Sequence, residues 1–226
     1  MKLTPESLDA FKRACTENED IAEIMRTHAL NWLEAPVADI GAGRGDIALR
    51  AFPTLECVLI DRLDFAQFPI ATPHRRLRRD VFEATVGDLG HPRTLLMSHV
   101  LQYLDDDEDA LRALLARVNA AKLLVASNIN VGVLGRLIRW STPVFPDTNP
   151  EVDVPLIDER YDCVRTWQFT TSIHAGGRTE LASRALHLLD VQTTRENIDL
   201  ASHFLADEGL ERSLTFNQEV RAYERR

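Results

Sequence analysis

At 226 residues the chain is long enough to bury one core, and its 45% hydrophobic and 27% charged content is that of a globular domain. No apolar run approaches the roughly 20 residues needed to cross a bilayer, and a formal net charge of -9 argues against a general polyanion binder. Cys15, Cys57 and Cys163 are odd in number and lack metal-ligand spacing, so reduced thiols, no metal site and a cytoplasmic location are expected. The acidic start (Glu6, Asp9, Glu17, Glu19) lacks the basic-then-apolar order of a secretory leader.

In chain order, Thr4-Pro5-Glu6-Ser7 opens a helical segment. The spacing of Leu8, Phe11 and Ala14, then Ile21, Ile24 and Met25, predicts two N-terminal helices, a lid over residues 1–34. Residues 37–40 read as the first strand, with a helix from Gly45 to about residue 52. The second strand covers 56–60 and ends in Asp61; Pro69 and Pro73 rule out a long helix before Asp80. A strand over 93–97 precedes a helix opened by Asp105, Asp106 and Asp107, where acids suit the helix dipole. Residues 121–127 form the fifth strand.

Residues 128–194 are too many for a plain crossover and are expected to form a substrate cap. A short helix over 134–140 leads into a proline-rich loop. Strands over 164–173 and 179–189 are then joined by a hairpin turn at Ala175-Gly176-Gly177. The chain closes with an amphipathic helix over 197–209, ended by glycine, and a hairpin of 212–216 with 219–223. Strand and helix thus alternate as in an α/β fold, and one domain over 1–226 is expected.

The chemistry concentrates at Val37-Ala38-Asp39-Ile40-Gly41-Ala42-Gly43-Arg44-Gly45-Asp46. Strand, glycine turn and helix form the nucleotide-cradling unit of doubly wound folds. A dinucleotide fingerprint counted from Gly41 would place its third glycine at position 46, which is Asp. That carboxylate, with Asp39, repels a pyrophosphate and suits a ligand with no phosphate and a positive end. S-adenosylmethionine is such a ligand. Asp61, about 20 residues past the turn, sits where an acid accepts the ribose hydroxyls.

On these residues, and on Ser98-His99-Val100-Leu101-Gln102-Tyr103-Leu104 after the fourth strand, the chain resembles the class I S-adenosylmethionine-dependent methyltransferases. The likeness spans residues 37–127. It implies a seven-stranded Rossmann-like sheet, mostly parallel with an antiparallel last strand, flanked by helices. It also implies that Asp39 faces the methionine ammonium across Gly41, Ala42 and Gly43, and that Asp61, with Arg62 beside it, holds the ribose. Asp80 and Val81 bracket the adenine, and Ser98 and His99 line the site.

Methyl transfer from a sulfonium is an in-line displacement that needs alignment, exclusion of water and, for some acceptors, a base. His99 is the leading base, its other reading being a cap on the following helix. Asn128, with Asn130, stands at the carboxyl edge of the sheet, where it holds an acceptor group or closes a turn. Tyr161 joins Trp140 and Trp167 as an aromatic wall for the cation, or as cross-strand packing. Arg75, Arg76, Arg78 and Arg79 raise the question of RNA, which the acidic whole and the lack of a basic tail answer against.

The expected partner is a small molecule, with no membrane and a monomeric or homodimeric chain. Two other readings stand: cyclisation of S-adenosylmethionine itself with release of methylthioadenosine, and a binding protein that has lost the chemistry.

Overall fold

A computed structural model describes residues 15–101, 108–129, 132–145, 160–189 and 191–226. The expected first helix, the acids at 105–107, Asn130 and most of the proline-rich loop lie outside these residues. Helix α1 (Glu17–Ile24) runs into a π-helical turn (Met25–Ala29). There follow β1 (Val37–Ile40), α2 (Asp46–Ala51), β2 (Cys57–Asp61), β3 (Arg75–Arg78), β4 (Thr94–Ser98), α3 (Glu108–Val118) and β5 (Lys122–Asn128). The remainder is α4 (Gly132–Val144), β6 (Tyr161–His174), α5 (Arg178–Leu188), α6 (Arg195–Asp207) and β7 (Ser213–Arg225).

The strands form one seven-stranded sheet in the order β3-β2-β1-β4-β5-β7-β6. Neighbours from β3 to β5 pair in parallel. The Arg225 amide donates to the Ala121 carbonyl and the Ile129 amide to that of Asn217, so β7 runs against β5. Ala175 donating to Arg212, and Arg226 to Arg160, set β6 antiparallel to β7. The expected seven-stranded sheet is therefore present, with β7 as the reversed strand. No helix among the described residues is long and apolar enough to cross a membrane.

The chain divides into two compact units, one of residues 21–127, 154–167 and 219–226, the other of 1–20, 128–153 and 168–218. In the first, β1 is buried along its whole length and reads as a continuous run because both faces are covered. One face packs Ala38, Ile40, Ile60, Leu95, Met97 and Val125 against α3. That helix presents Leu111, Leu114, Leu115 and Val118, the spacing of a single helical stripe. Residues 62–74 contain no helix, as Pro69 and Pro73 predict; Phe65 is buried there, and Phe68 lies 4.4 Å beneath the Arg44 guanidinium.

The second unit corrects the sequence reading in two places. Residues 178–188 are helix α5, not the second arm of a cap hairpin. Leu181, Ala182, Ala185, Leu186 and Leu189 recur four apart and are all buried, and alanine and leucine favour helix over strand. The closing hairpin is instead the single strand β7, and its antiparallel partner β6 comes from the segment assigned to the cap. Asn217 and Gln218 read as a turn, yet Gln218 is fully buried in mid-strand, its Nε2 donating to the Glu17 and Asn128 side chains. Helix α6 starts two residues before the expected 197, Thr194 accepting from the Asn197 amide at 3.2 Å, and Gly209 follows its end with φ of 71°.

Candidate functional site

The parallel registers bring the ends of four strands to one edge: Ile40 lies opposite Ile60 and Met97, and Asp61 opposite Arg78. Just past β1, Gly41 has φ of 67°, and a Cβ there would lie 2.5 Å from Val100 Cγ2. Gly45, with φ of 78°, would drive a Cβ into Leu59 Cδ1. Both the left-handed backbone and the close packing require glycine at these positions. The turn is tied to β2, the Ala42 amide donating to the Ile60 carbonyl at 3.0 Å.

Asp39 is 3% exposed, in register with Leu59 and Leu96. Asp61 accepts from the Gly43 amide through Oδ2 and from the Leu63 amide through Oδ1, each at 2.8 Å. One buried acid and one half-buried acid therefore flank the exposed Gly41. Arg62 is exposed beside Asp61. After β3, the exposed Asp80 accepts the Phe82 amide at 2.9 Å, while Val81 belongs to the core. After β4, the Ser98 Oγ is buried with no hydrogen-bond partner among the described residues. His99 adopts φ of 52°, its amide donating to the Ala126 carbonyl at 3.0 Å and both ring nitrogens shielded from solvent.

The chain thus gathers Asp39, Gly41, Ala42, Gly43, Asp61, Asp80, Val81, Ser98 and His99 along one edge of the first unit. Tyr161 is a correction. Its ring is in the core and its hydroxyl donates to the Ala120 carbonyl at 2.9 Å, just before β5 begins. That is the amino end of the parallel strands, opposite the glycine turn, so Tyr161 takes no part in this site.

In the second unit Asn128 is 1% exposed, and its Oδ1 accepts from Gln218 Nε2 at 3.0 Å. The same Nε2 donates to the buried Glu17 carboxylate at 2.6 Å. The reach from residue 17 to 128 to 218 left no local signal for this network. A cleft of about 340 Å³ past the carboxyl end of β5 is lined by Ile129, Gln168, Phe169, Thr170 and Asn217.

Sequence reasoning read Arg76 only as one of an arginine cluster, yet it donates to the Gly43 carbonyl at 2.7 Å and the Arg44 carbonyl at 3.0 Å. Burial lowers its pKa, against the pull of Asp61, Asp46, Asp39 and Asp64. The other three arginines of the cluster are also engaged. Arg75 reaches the Asp88 carbonyl, while Arg78 pairs with Asp64 and Arg79 with Asp88.

No protein-family model matches the chain, and no characterised protein matches it in sequence. Solved structures do match its fold. A protein from Bacillus halodurans, provisionally described as a methyltransferase, aligns over 91% of this chain and 98% of its own with a TM-score of 0.63 at 12% identity. An N-methyltransferase from Bradyrhizobium japonicum, bound to S-adenosylhomocysteine, aligns over 92% and 87% with a TM-score of 0.51 at 11% identity. The magnesium protoporphyrin IX methyltransferase of Synechocystis, also with S-adenosylhomocysteine, aligns over 93% and 83% with a TM-score of 0.53 at 12% identity.

Proposed function

We propose that this chain, which has the fold of the class I S-adenosylmethionine-dependent methyltransferases, binds S-adenosylmethionine at the carboxyl ends of β1 to β4 and transfers its methyl group to a small molecule. The observation that carries this reading is the pair of acids around a turn that only glycine fits. Asp39 supplies a buried negative charge for an ammonium, and the acidic turn disfavours a pyrophosphate. Asp61 offers carboxylate oxygens to two ribose hydroxyls, and Asp80 with Val81 flanks the adenine. The orphaned Ser98 Oγ, buried at the same edge, fits a site whose polar groups wait for a ligand. When bound, S-adenosylmethionine supplies an activated methyl group.

His99 is assigned to the acceptor side, where it takes a proton from a hydroxyl or ammonium acceptor. Its left-handed backbone costs roughly 1–3 kcal/mol, and residues held at such a cost cluster at functional sites. Asn128 is assigned to a polar group of the acceptor, the role expected of it at the end of β5.

Calorimetric titration with S-adenosylmethionine and S-adenosylhomocysteine tests this reading, with mass spectrometry of the incubated cofactor. Both ligands are expected to bind. In Asp61→Ala the affinity should fall about a hundredfold, since two hydroxyls lose a charged acceptor. Affinity near that of the parent chain would overturn the assignment. Release of methylthioadenosine without an acceptor would replace methyl transfer by cyclisation, and absence of binding would sink the cofactor itself.

A further inference from the structure

The structure assigns Arg76 as a positioning residue for the cofactor site, a guanidinium on β3 that holds the glycine turn in shape by taking two of its successive carbonyls. This rests on the cofactor reading above. The turn contains three left-handed glycines, Gly41, Gly43 and Gly45, with φ of 67°, 53° and 78°. Glycine loses more conformational freedom on folding than any other residue, so such a turn does not hold its shape by local preference. Outside bonds must supply the rigidity.

The two peptide groups of Gly43 are each held by a side chain. Its amide donates to Asp61 Oδ2 at 2.8 Å, and its carbonyl accepts from Arg76 Nη1 at 2.7 Å. The next carbonyl, that of Arg44, accepts from Arg76 Nη2 at 3.0 Å. A planar fork with two donors at fixed spacing suits two successive carbonyls; an ammonium offers no such match. Register explains why the reach is possible. Arg76 lies opposite Leu59 and Arg78 opposite Asp61, so Arg76 stands two positions before the acid at the end of β2.

The guanidinium also carries charge. It stands in the field of Asp61, Asp46, Asp39 and Asp64, among them Asp39 and Asp46, the two acids expected to suit a ligand with a positive end. Arg76 therefore has two separable effects: it orders the turn, and it offsets part of the acidic field. Removing it loosens the site for every ligand and deepens the negative potential. S-adenosylmethionine, with one positive charge more than S-adenosylhomocysteine, regains part of its loss from that deeper potential. Unequal losses for the two ligands are a signature that a merely structural arginine does not produce.

Calorimetry with both ligands on Arg76→Gln and Arg76→Lys, alongside thermal midpoints of the free proteins, tests the assignment. In Arg76→Gln, S-adenosylhomocysteine binding should weaken about tenfold and S-adenosylmethionine binding about threefold. Arg76→Lys keeps the charge and loses the fork, so both ligands should weaken equally, by about fivefold. Affinity for S-adenosylhomocysteine within twofold of the parent in either folded variant overturns the assignment. So do equal losses in Arg76→Gln. If Arg76→Gln fails to fold, Arg76→Lys carries the test by the same twofold criterion. A parent chain that binds neither ligand refutes the cofactor reading instead.

Discussion

Asp61 and Tyr161 each close a strand end with a polar group, but at opposite edges of the same parallel strands. Asp61 uses both carboxylate oxygens on backbone amides at the glycine turn. Tyr161 donates its hydroxyl hydrogen bond to the Ala120 carbonyl, ahead of β5, and its ring belongs to the core cluster. The physical content of that bond is stability. Tyr161→Phe should cost about 1 kcal/mol of folding free energy, the net worth of one intramolecular hydrogen bond. Denaturant midpoints should fall accordingly while cofactor affinity stays at the parent value. Loss of affinity at unchanged stability would return Tyr161 to the site. In the sequence, an aromatic residue with a hydroxyl near other aromatics carries no mark of which strand end it will occupy; Asp61 carried one, because it follows a glycine turn at a fixed distance.

The elements were legible where periodicity and punctuation agreed. β1 matched its expected bounds, because a four-residue apolar run stopped by Gly41 has one reading. α5 did not, since its leucines and alanines were set beside a Gly-Gly pair that invited a hairpin. Strand β2 has a consequence for pH. Cys57, at its start, is fully buried, and burial pushes its thiol from 9.0 up to about 12, with the charges of Asp39 and Glu56 adding to the effect. Below 9.0 the thiol is neutral in the folded and unfolded chain alike, and its contribution to stability is fully present. Between 9.0 and about 12 the unfolded chain ionises while the folded one does not, so stability falls as pH rises. Denaturant midpoints measured through that window should decline in the parent chain and decline less in Cys57→Ala. Equal slopes would show that Cys57 is not the titrating group; the buried Cys15, whose thiol is also raised, leaves a residual slope in both.

Charge over the full chain bears on the question the arginine cluster raised. The net charge is -9, and Arg75, Arg76, Arg78 and Arg79 all spend donors on carbonyls or carboxylates of the chain itself. A single-stranded RNA oligonucleotide should therefore show no retention in a gel-shift titration at physiological salt. Retention that weakens steeply with added salt would reveal a phosphate-binding face and reopen nucleic acid as acceptor. By itself the sequence determined the α/β alternation, the glycine turn, and the acids at positions 39, 61 and 80, because these depend on local backbone demands and on short, regular spacing. Tertiary structure alone decided that β6 arises from the presumed cap and that β7 is one strand with a buried Gln218. It alone also set Tyr161 at the far edge and Arg76 under the turn. Each of those outcomes depends on a partner distant in the chain, and such pairings are fixed by which buried polar groups can be satisfied together, a condition that no local window of sequence contains.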